Sequence, residues 1–178
     1  MRIVAGKFRS RRITAPNNLP VRPTTDMAKE ALFNILNNSY YFDDLKVLDL
    51  FAGIGSISFE FASRGCTDIT AVDEHFGCIK FLEKTSSELE IDLQTVKSDV
   101  FSFLERSSQS YDIIFADPPY DMEAEKFMQL LDLVFEGNLL NEEGILIIEH
   151  AKQTKLSEHP KFEKQRKYGS NVFSFFKA

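Results

Sequence analysis

Four consecutive residues carry the sharpest chemical signal in the chain: Asp117-Pro118-Pro119-Tyr120. They follow Tyr111-Asp112-Ile113-Ile114-Phe115-Ala116, a short, apolar, β-prone run of the kind found in strands buried on both faces. The prolines stop that run, because neither can donate to a sheet ladder. A carboxylate and an aromatic ring are left at the carboxyl end of a central strand, where open α/β sheets bind ligands. Ionised Asp117 only accepts hydrogen bonds, the Pro118 carbonyl is a second and stiffly held acceptor, and Tyr120 offers a flat π-face. Together they suit a planar ring bearing an exocyclic NH2. Taken alone, Asp-Pro-Pro also fits a surface turn with a solvated aspartate.

A second constellation lies upstream. Lys46-Val47-Leu48-Asp49-Leu50-Phe51 reads as a strand, Ala52-Gly53-Ile54-Gly55-Ser56 as a tight loop, and Ile57 to Ser63 as a helix stopped by Gly65. Gly53 and Gly55 permit a sharp turn and close approach of a ligand to the backbone. Asp49 stands just before this loop. Asp73 ends the next strand, twenty residues beyond Gly53, where a carboxylate can hold ribose hydroxyls. Asp99 ends a third strand, where an acid can meet an adenine amino group. The nicotinamide fingerprint Gly-x-Gly-x-x-Gly fails, since Ser58 occupies its third glycine position. Asp49 would sit badly beside a pyrophosphate and well beside the ammonium of an amino acid. A molecule with an amino acid at one end and adenosine at the other is S-adenosylmethionine. The plainer alternative makes Asp49 and Asp99 helix caps and Asp73 a solvated strand end.

The elements that must position these groups alternate along the chain. After an extended linker held by Pro16, Pro20 and Pro23, Thr24-Thr25-Asp26 offers caps for a helix over Met27–Leu36, whose Ala28, Ala31, Leu32, Ile35 and Leu36 form one face. Strands are expected at Asp68–Val72, Leu93–Val96 and Gly144–Glu149. Helices are expected at Phe76–Leu89, Val100–Arg106 and Glu123–Phe135. Phe162–Tyr168 and Asn171–Lys177 read as a hairpin around Gly169-Ser170. This alternation predicts a parallel sheet covered on both faces, with one antiparallel strand contributed by the closing hairpin.

Charge is unevenly placed. Residues 1–25 carry Arg2, Lys7, Arg9, Arg11, Arg12 and Arg22 and no acid, while the whole chain of 178 residues is at −6. A basic arm on an acidic body points to a polyanionic partner, and Phe8 among the arginines adds a stacking ring. Ile3-Val4 and Arg12-Ile13-Thr14 look like two short strands around a turn at Gly6; the alternative is a disordered basic tail. No apolar run spans a bilayer, and the N-terminus lacks the apolar stretch of a secretory signal. Cys66 and Cys78 form no Cys-x-x-Cys, and His75, His150 and His159 have no ligand spacing. No metal and no membrane are expected, and a cytoplasmic protein is.

Val47-Leu48-Asp49-Leu50-Phe51-Ala52-Gly53-Ile54-Gly55-Ser56 resembles motif I of Rossmann-like methyltransferases, and Asp117-Pro118-Pro119-Tyr120 is similar to their amino-methyltransferase motif IV. More narrowly, the chain resembles the RsmD family, bacterial 16S rRNA guanine-N2 methyltransferases. The matching stretches are Arg2-Ile3-Val4-Ala5-Gly6-Lys7, Arg22-Pro23-Thr24-Thr25-Asp26, Glu30-Ala31-Leu32-Phe33-Asn34, Phe51-Ala52-Gly53, Glu60, Ser63-Arg64-Gly65 and the Tyr168-Gly169 hairpin. Two positions depart from the family pattern. Ile54 replaces the usual Ser or Thr, and the acid ending the second strand is Asp73 followed by Glu74 rather than Glu, which leaves the ribose ligand open between the two.

The resemblance implies an α/β Rossmann-like methyltransferase fold: a mostly parallel seven-stranded sheet with a C-terminal antiparallel hairpin, preceded by an N-terminal β-hairpin and helix. It implies an RNA-contacting extension over 1–40 and a methyltransferase domain over 41–178. S-adenosylmethionine would be held by Asp49, Phe51, Gly53, Gly55, Asp73, Glu74, Asp99 and Asp117. Catalysis would fall to Asp117, Pro118, Pro119 and Tyr120. Arg2, Lys7, Arg9, Arg11, Arg12 and Arg22 would bind RNA. The expected reaction is methyl transfer to the 2-amino group of a guanine in 16S rRNA, free or in an assembling small subunit, by a monomer. The alternatives are a DNA adenine amino-methyltransferase, disfavoured by the lack of a separate target-recognition domain, and a non-catalytic RNA-binding assembly factor.

Overall fold

A computed structural model describes residues 1–21 and 24–177. Its centre is β1 (Lys46–Leu50), whose residues after Lys46 are all buried. Side chains alternate across it: Val47 joins the core on one face of the sheet, Leu48 and Leu50 the core on the other. The remaining strands are β2 (Asp68–Asp73), β3 (Leu93–Lys97), β4 (Tyr111–Ala116), β5 (Leu140–Ala151), β6 (Phe162–Tyr168) and β7 (Asn171–Lys177). They form one seven-stranded sheet in the order β3-β2-β1-β4-β5-β7-β6. The first five pair in parallel, and β7 runs antiparallel between β5 and β6. Strand order reverses between β1 and β4, so a crevice opens there at the carboxyl ends of the strands.

The helices are α1 (Asp26–Leu36), α2 (Ser56–Ser63), α3 (Phe76–Leu89), α4 (Val100–Arg106) and α5 (Ala124–Glu136). α1 and α2 cover one face, where Phe33 and Phe61 meet edge-on at 4.7 Å over Val47, Phe115 and Phe173. α4 and α5 cover the other, packing Leu104, Leu130, Leu131 and Val134 on Leu48, Ile114 and Leu146. The buried face of α1 is Ala28, Lys29, Leu32, Phe33 and Leu36, rotated from the face expected; Ala31 and Ile35 are only half-buried. Lys29 is what a hydrophobic pattern could not include. Among the described residues no helix is long and apolar enough to cross a membrane.

The N-terminal arm is neither a tail nor a full hairpin. Arg2 and Arg12 form a single antiparallel bridge, and Ile3 and Ile13 are buried in a third core with Phe59, Ala71 and Leu82. Extended strands are absent from it because Val4 and Ala5 give their backbone N–H groups to the carboxylate of Glu60, at 3.0 and 3.1 Å, instead of to a partner strand. Fully buried Glu60 also takes the guanidinium of Arg64 and stands 3.6 Å from the ammonium of Lys29, which itself donates to the Arg2 carbonyl. Burial pulls the Lys29 pKa down, and the charge of Glu60 opposes that. Ser63 completes the clamp: its carbonyl accepts from Lys7 N–H and its hydroxyl from Phe8 N–H. Gly6 is at φ +81°, and a Cβ there would lie 1.8 Å from the Ser63 carbonyl oxygen, so only glycine fits. Phe8 is half-buried against the third core rather than free to stack.

Candidate active site

A cavity of about 660 Å³ lies over the β1–β4 crevice. Its floor is Asp49 and the β1–α2 loop, one wall is the end of β2 and the start of α4, and the other is the turn after β4.

Asp49 is buried, and its Oδ2 accepts the backbone N–H of Ser58 at 3.1 Å and the Ser58 hydroxyl at 2.6 Å. Burial pushes its carboxyl up to about 7; the Ser58 hydrogen bonds oppose the shift and the charge of Asp73 adds to it. A cation beside it would favour its ionised form and bring that value down. Across the same corner, the hydroxyl of Ser56 is buried with no partner among the described residues at the first turn of α2, where a helix leaves its first backbone N–H groups without intrahelical partners. A carboxyl awaiting a cation beside donors awaiting an anion fits the ammonium and carboxylate of an amino acid.

Asp73 faces inward. Its Oδ2 accepts the Gly53 N–H and its Oδ1 the His75 N–H, both at 2.8 Å. Glu74 also borders the cavity but is exposed. Asp99 caps α4 through the Ser102 N–H at 2.8 Å and still borders the cavity, so the capping and ligand interpretations of this residue are compatible. Phe51 lines the site with φ +58°, a left-handed conformation that costs a non-glycine residue on the order of 1 kcal/mol. Gly53 lines it too. Gly55 does not: it turns the chain at φ +77°, and a Cβ there would come within 2.5 Å of Leu82 and 2.8 Å of Phe59. Its glycine answers first to that left-handed φ, with the crowding from Leu82 and Phe59 adding to it.

Asp117, Pro118, Pro119 and Tyr120 all line the opposite wall. Among the described residues none donates a hydrogen bond to the Asp117 side chain. Burial, then the charges of Glu149 and Asp49, raise its pKa well above the ordinary carboxylate range. Tyr120 is 55% exposed, its ring at the cavity mouth and its hydroxyl bonded to Asn171 Oδ1 at 3.0 Å. Val21, Thr24, His75, Cys78, Phe101 and Met122 also line the cavity, and none of them is a site residue on the sequence reading. The first two come from the linker before α1, which the chain pattern gave no reason to fold back over the sheet.

Of the basic residues, Arg2, Lys7, Arg9, Arg11 and Arg12 are exposed, and Arg22 lies outside the described residues. Arg2 pairs with Asp26 at 2.9 Å. Arg2 and Arg12 border a second hollow of about 700 Å³ that shares Val21 and Ile54 with the first. Among the described residues no cluster of three or more His, Cys, Asp or Glu could hold a metal ion.

Sheet order, glycine loop and acidic cavity together define a Rossmann-like methyltransferase. The Escherichia coli protein yhhF has the same fold, with a TM-score of 0.86 and 27% identity, over 99% of this chain and 96% of that one. A family model described as Conserved hypothetical protein 95 matches residues 1–177, and the chain belongs to that family. The chain is similar to Bacillus subtilis YlbH, 34% identical over 89% of this chain and 86% of the relative. It is similar also to the ribosomal RNA small subunit methyltransferase D of Haemophilus influenzae, 32% identical over 88% of this chain and 81% of the relative.

Proposed function

We propose that this protein transfers a methyl group from S-adenosylmethionine to the exocyclic 2-amino group of a guanine in 16S rRNA. The observation that carries this reading is Asp117: a carboxyl with no donor among the described residues, at the end of β4, in one cavity with Asp49 and Asp73. Similarity to small-subunit rRNA methyltransferases supports the substrate class. A Thermus thermophilus 16S rRNA N2 methyltransferase, described in complex with AdoMet and guanosine, shares the fold at a TM-score of 0.71.

Asp49 receives the cofactor's ammonium, and Ser56 with the first N–H groups of α2 receives its carboxylate. Asp73, fixed by Gly53 and His75, accepts from the ribose hydroxyls, and Asp99 from the adenine amine. When bound, the cofactor supplies an electrophilic methyl group. The protein's task is to present a weak nucleophile in line with it. The guanine amine's lone pair is delocalised into the ring. Asp117 and the Pro118 carbonyl accept its two hydrogens and localise that pair on nitrogen, while Tyr120 stacks on the base; this is positioning plus electrostatic stabilisation. Methyl transfer from the bound cofactor would leave one proton in excess on the amine, which can be shed late, so no strong base is required of Asp117. Asp117 in its ionised form is an acceptor for it, and its surroundings favour the protonated product. The base must leave its stack to reach the cavity. The arginines of the arm hold the flanking phosphates.

The test is incubation of the purified protein with isotopically labelled S-adenosylmethionine and 16S rRNA, free or in subunits, followed by nucleoside mass spectrometry. Label in N2-methylguanosine is the expected result; label in methyladenosine, or none, refutes the assignment.

A further inference from the structure

Behind the Asp117–Tyr120 turn lies a second carboxylate that no step above uses. Glu149, on β5, is only 3% exposed and does not border the cavity. Its two oxygens are held from opposite sides. Oε2 accepts the Thr24 hydroxyl at 2.9 Å, across 125 residues of chain, and Oε1 accepts the side-chain amide N–H of Asn171. Donating its Nδ2 to Glu149 fixes how the Asn171 amide faces, so its Oδ1 points the other way. There it accepts from the hydroxyls of Tyr120, at 3.0 Å, and of Ser170, at 3.1 Å. The result is a continuous relay from a buried anion to the hydroxyl of an exposed ring at the cavity mouth.

We propose that Glu149 is a positioning residue for the Asp117–Tyr120 turn: through Asn171 it sets the plane of the Tyr120 ring, and through Thr24 it ties the cavity wall to the N-terminal linker. The proposal rests on the reading that Tyr120 receives the target base. A half-exposed tyrosine on a loop samples several rotamers, whereas one whose hydroxyl is bonded to a fixed amide is held near one. Burial raises the Glu149 pKa as well, but the hydrogen bonds to both its oxygens oppose that shift, whereas among the described residues none donates to Asp117. The Glu149 charge also raises the proton affinity of Asp117, which suits the acceptor of the amine proton.

The test is a double-mutant cycle on methyl transfer to 16S rRNA with Tyr120→Phe, Asn171→Ala and the pair, alongside direct measurement of cofactor affinity. Tyr120→Phe keeps the stacking ring and removes only the hydroxyl. Each single variant is expected to lower kcat about tenfold with cofactor affinity within twofold of wild type. The pair should be no worse than either alone, because both break one relay. Multiplying effects overturn the proposal. So does Tyr120→Phe with turnover within twofold of wild type, however the Asn171 variant folds. Wild-type protein that methylates no guanine overturns the functional reading, and the proposal with it; an active wild type with insensitive variants overturns the proposal alone.

Discussion

Oδ2 of Asp73 accepts the backbone N–H of Gly53 at 2.8 Å, so the acid ending β2 holds the loop that follows β1. The two residues stand twenty apart in sequence and are brought together by the parallel pairing of β1 with β2. Asp73→Ala should therefore weaken S-adenosylmethionine on two counts, losing a ribose acceptor and loosening the loop. An affinity loss of about 1–3 kcal/mol is expected by calorimetry. Exposed Glu74→Ala should cost far less; if it is the weaker binder, the ribose ligand is Glu74.

Asp49 links function to stability against pH. Its carboxyl is held near 7 in the folded, cofactor-free protein, above the ordinary 3.8. Below about pH 4 both folded and unfolded chains keep the proton. Between about 4 and 7 the folded chain keeps it and the unfolded chain loses it, so stability falls as pH rises through that window. Asp49→Asn removes the penalty and should raise the unfolding free energy at pH 8 by roughly 2–4 kcal/mol. The gain should fade toward pH 4, and cofactor binding should be lost. Urea denaturation at both pH values checks the sign; a variant less stable than wild type at pH 8 contradicts it.

Glu60→Ala should release the arm. It strips the acceptors from Val4 and Ala5 and leaves Lys29 buried without its closest carboxylate. Breaking such a buried pair costs about 3–5 kcal/mol. Denaturation should show that loss, and limited proteolysis should cleave within residues 1–13 of the variant before the body. Equal protection in both proteins would mean that the third core alone docks the arm.

The arm's charges should act on RNA and not on the cofactor. Replacing Arg9, Arg11 and Arg12 with Ala should weaken rRNA binding by an order of magnitude or more at low salt. The slope of log affinity against log salt should shrink by roughly 2–3. Cofactor affinity should not change, because none of the three borders the main cavity. Parallel slopes with equal affinity would place the RNA surface elsewhere.

Much of this arrangement is legible in the chain. Hydrophobic runs and their breakers locate every strand of the sheet, and the acids at Asp49, Asp73, Asp99 and Asp117 mark strand ends that converge on one cavity. What was not legible is long-range. β5 begins at Leu140 rather than Gly144, because its polar Asn141-Glu142-Glu143 stretch extends the strand without looking like one. Lys29 and Glu60 are buried only because each compensates the other, which a single-residue hydropathy cannot register. Asn171 and Thr24 become site residues by meeting Glu149 from 22 and 125 positions away. Glu149 did carry a signal: like Asp73 and Asp99, it is an acid following an apolar strand run. Gly55 shows the converse, a motif residue whose glycine answers to its left-handed turn against Leu82 and Phe59 and does not line the cavity.

The most direct measurement of the central claim compares wild type with Asp117→Ala for label transfer from S-adenosylmethionine to N2 of guanine in 16S rRNA, with calorimetry of cofactor binding on the same preparations. Losing one positioned acceptor should lower turnover on the order of 10²-fold or more while cofactor affinity survives. Near wild-type turnover in Asp117→Ala would contradict the assignment of Asp117 to the target amine.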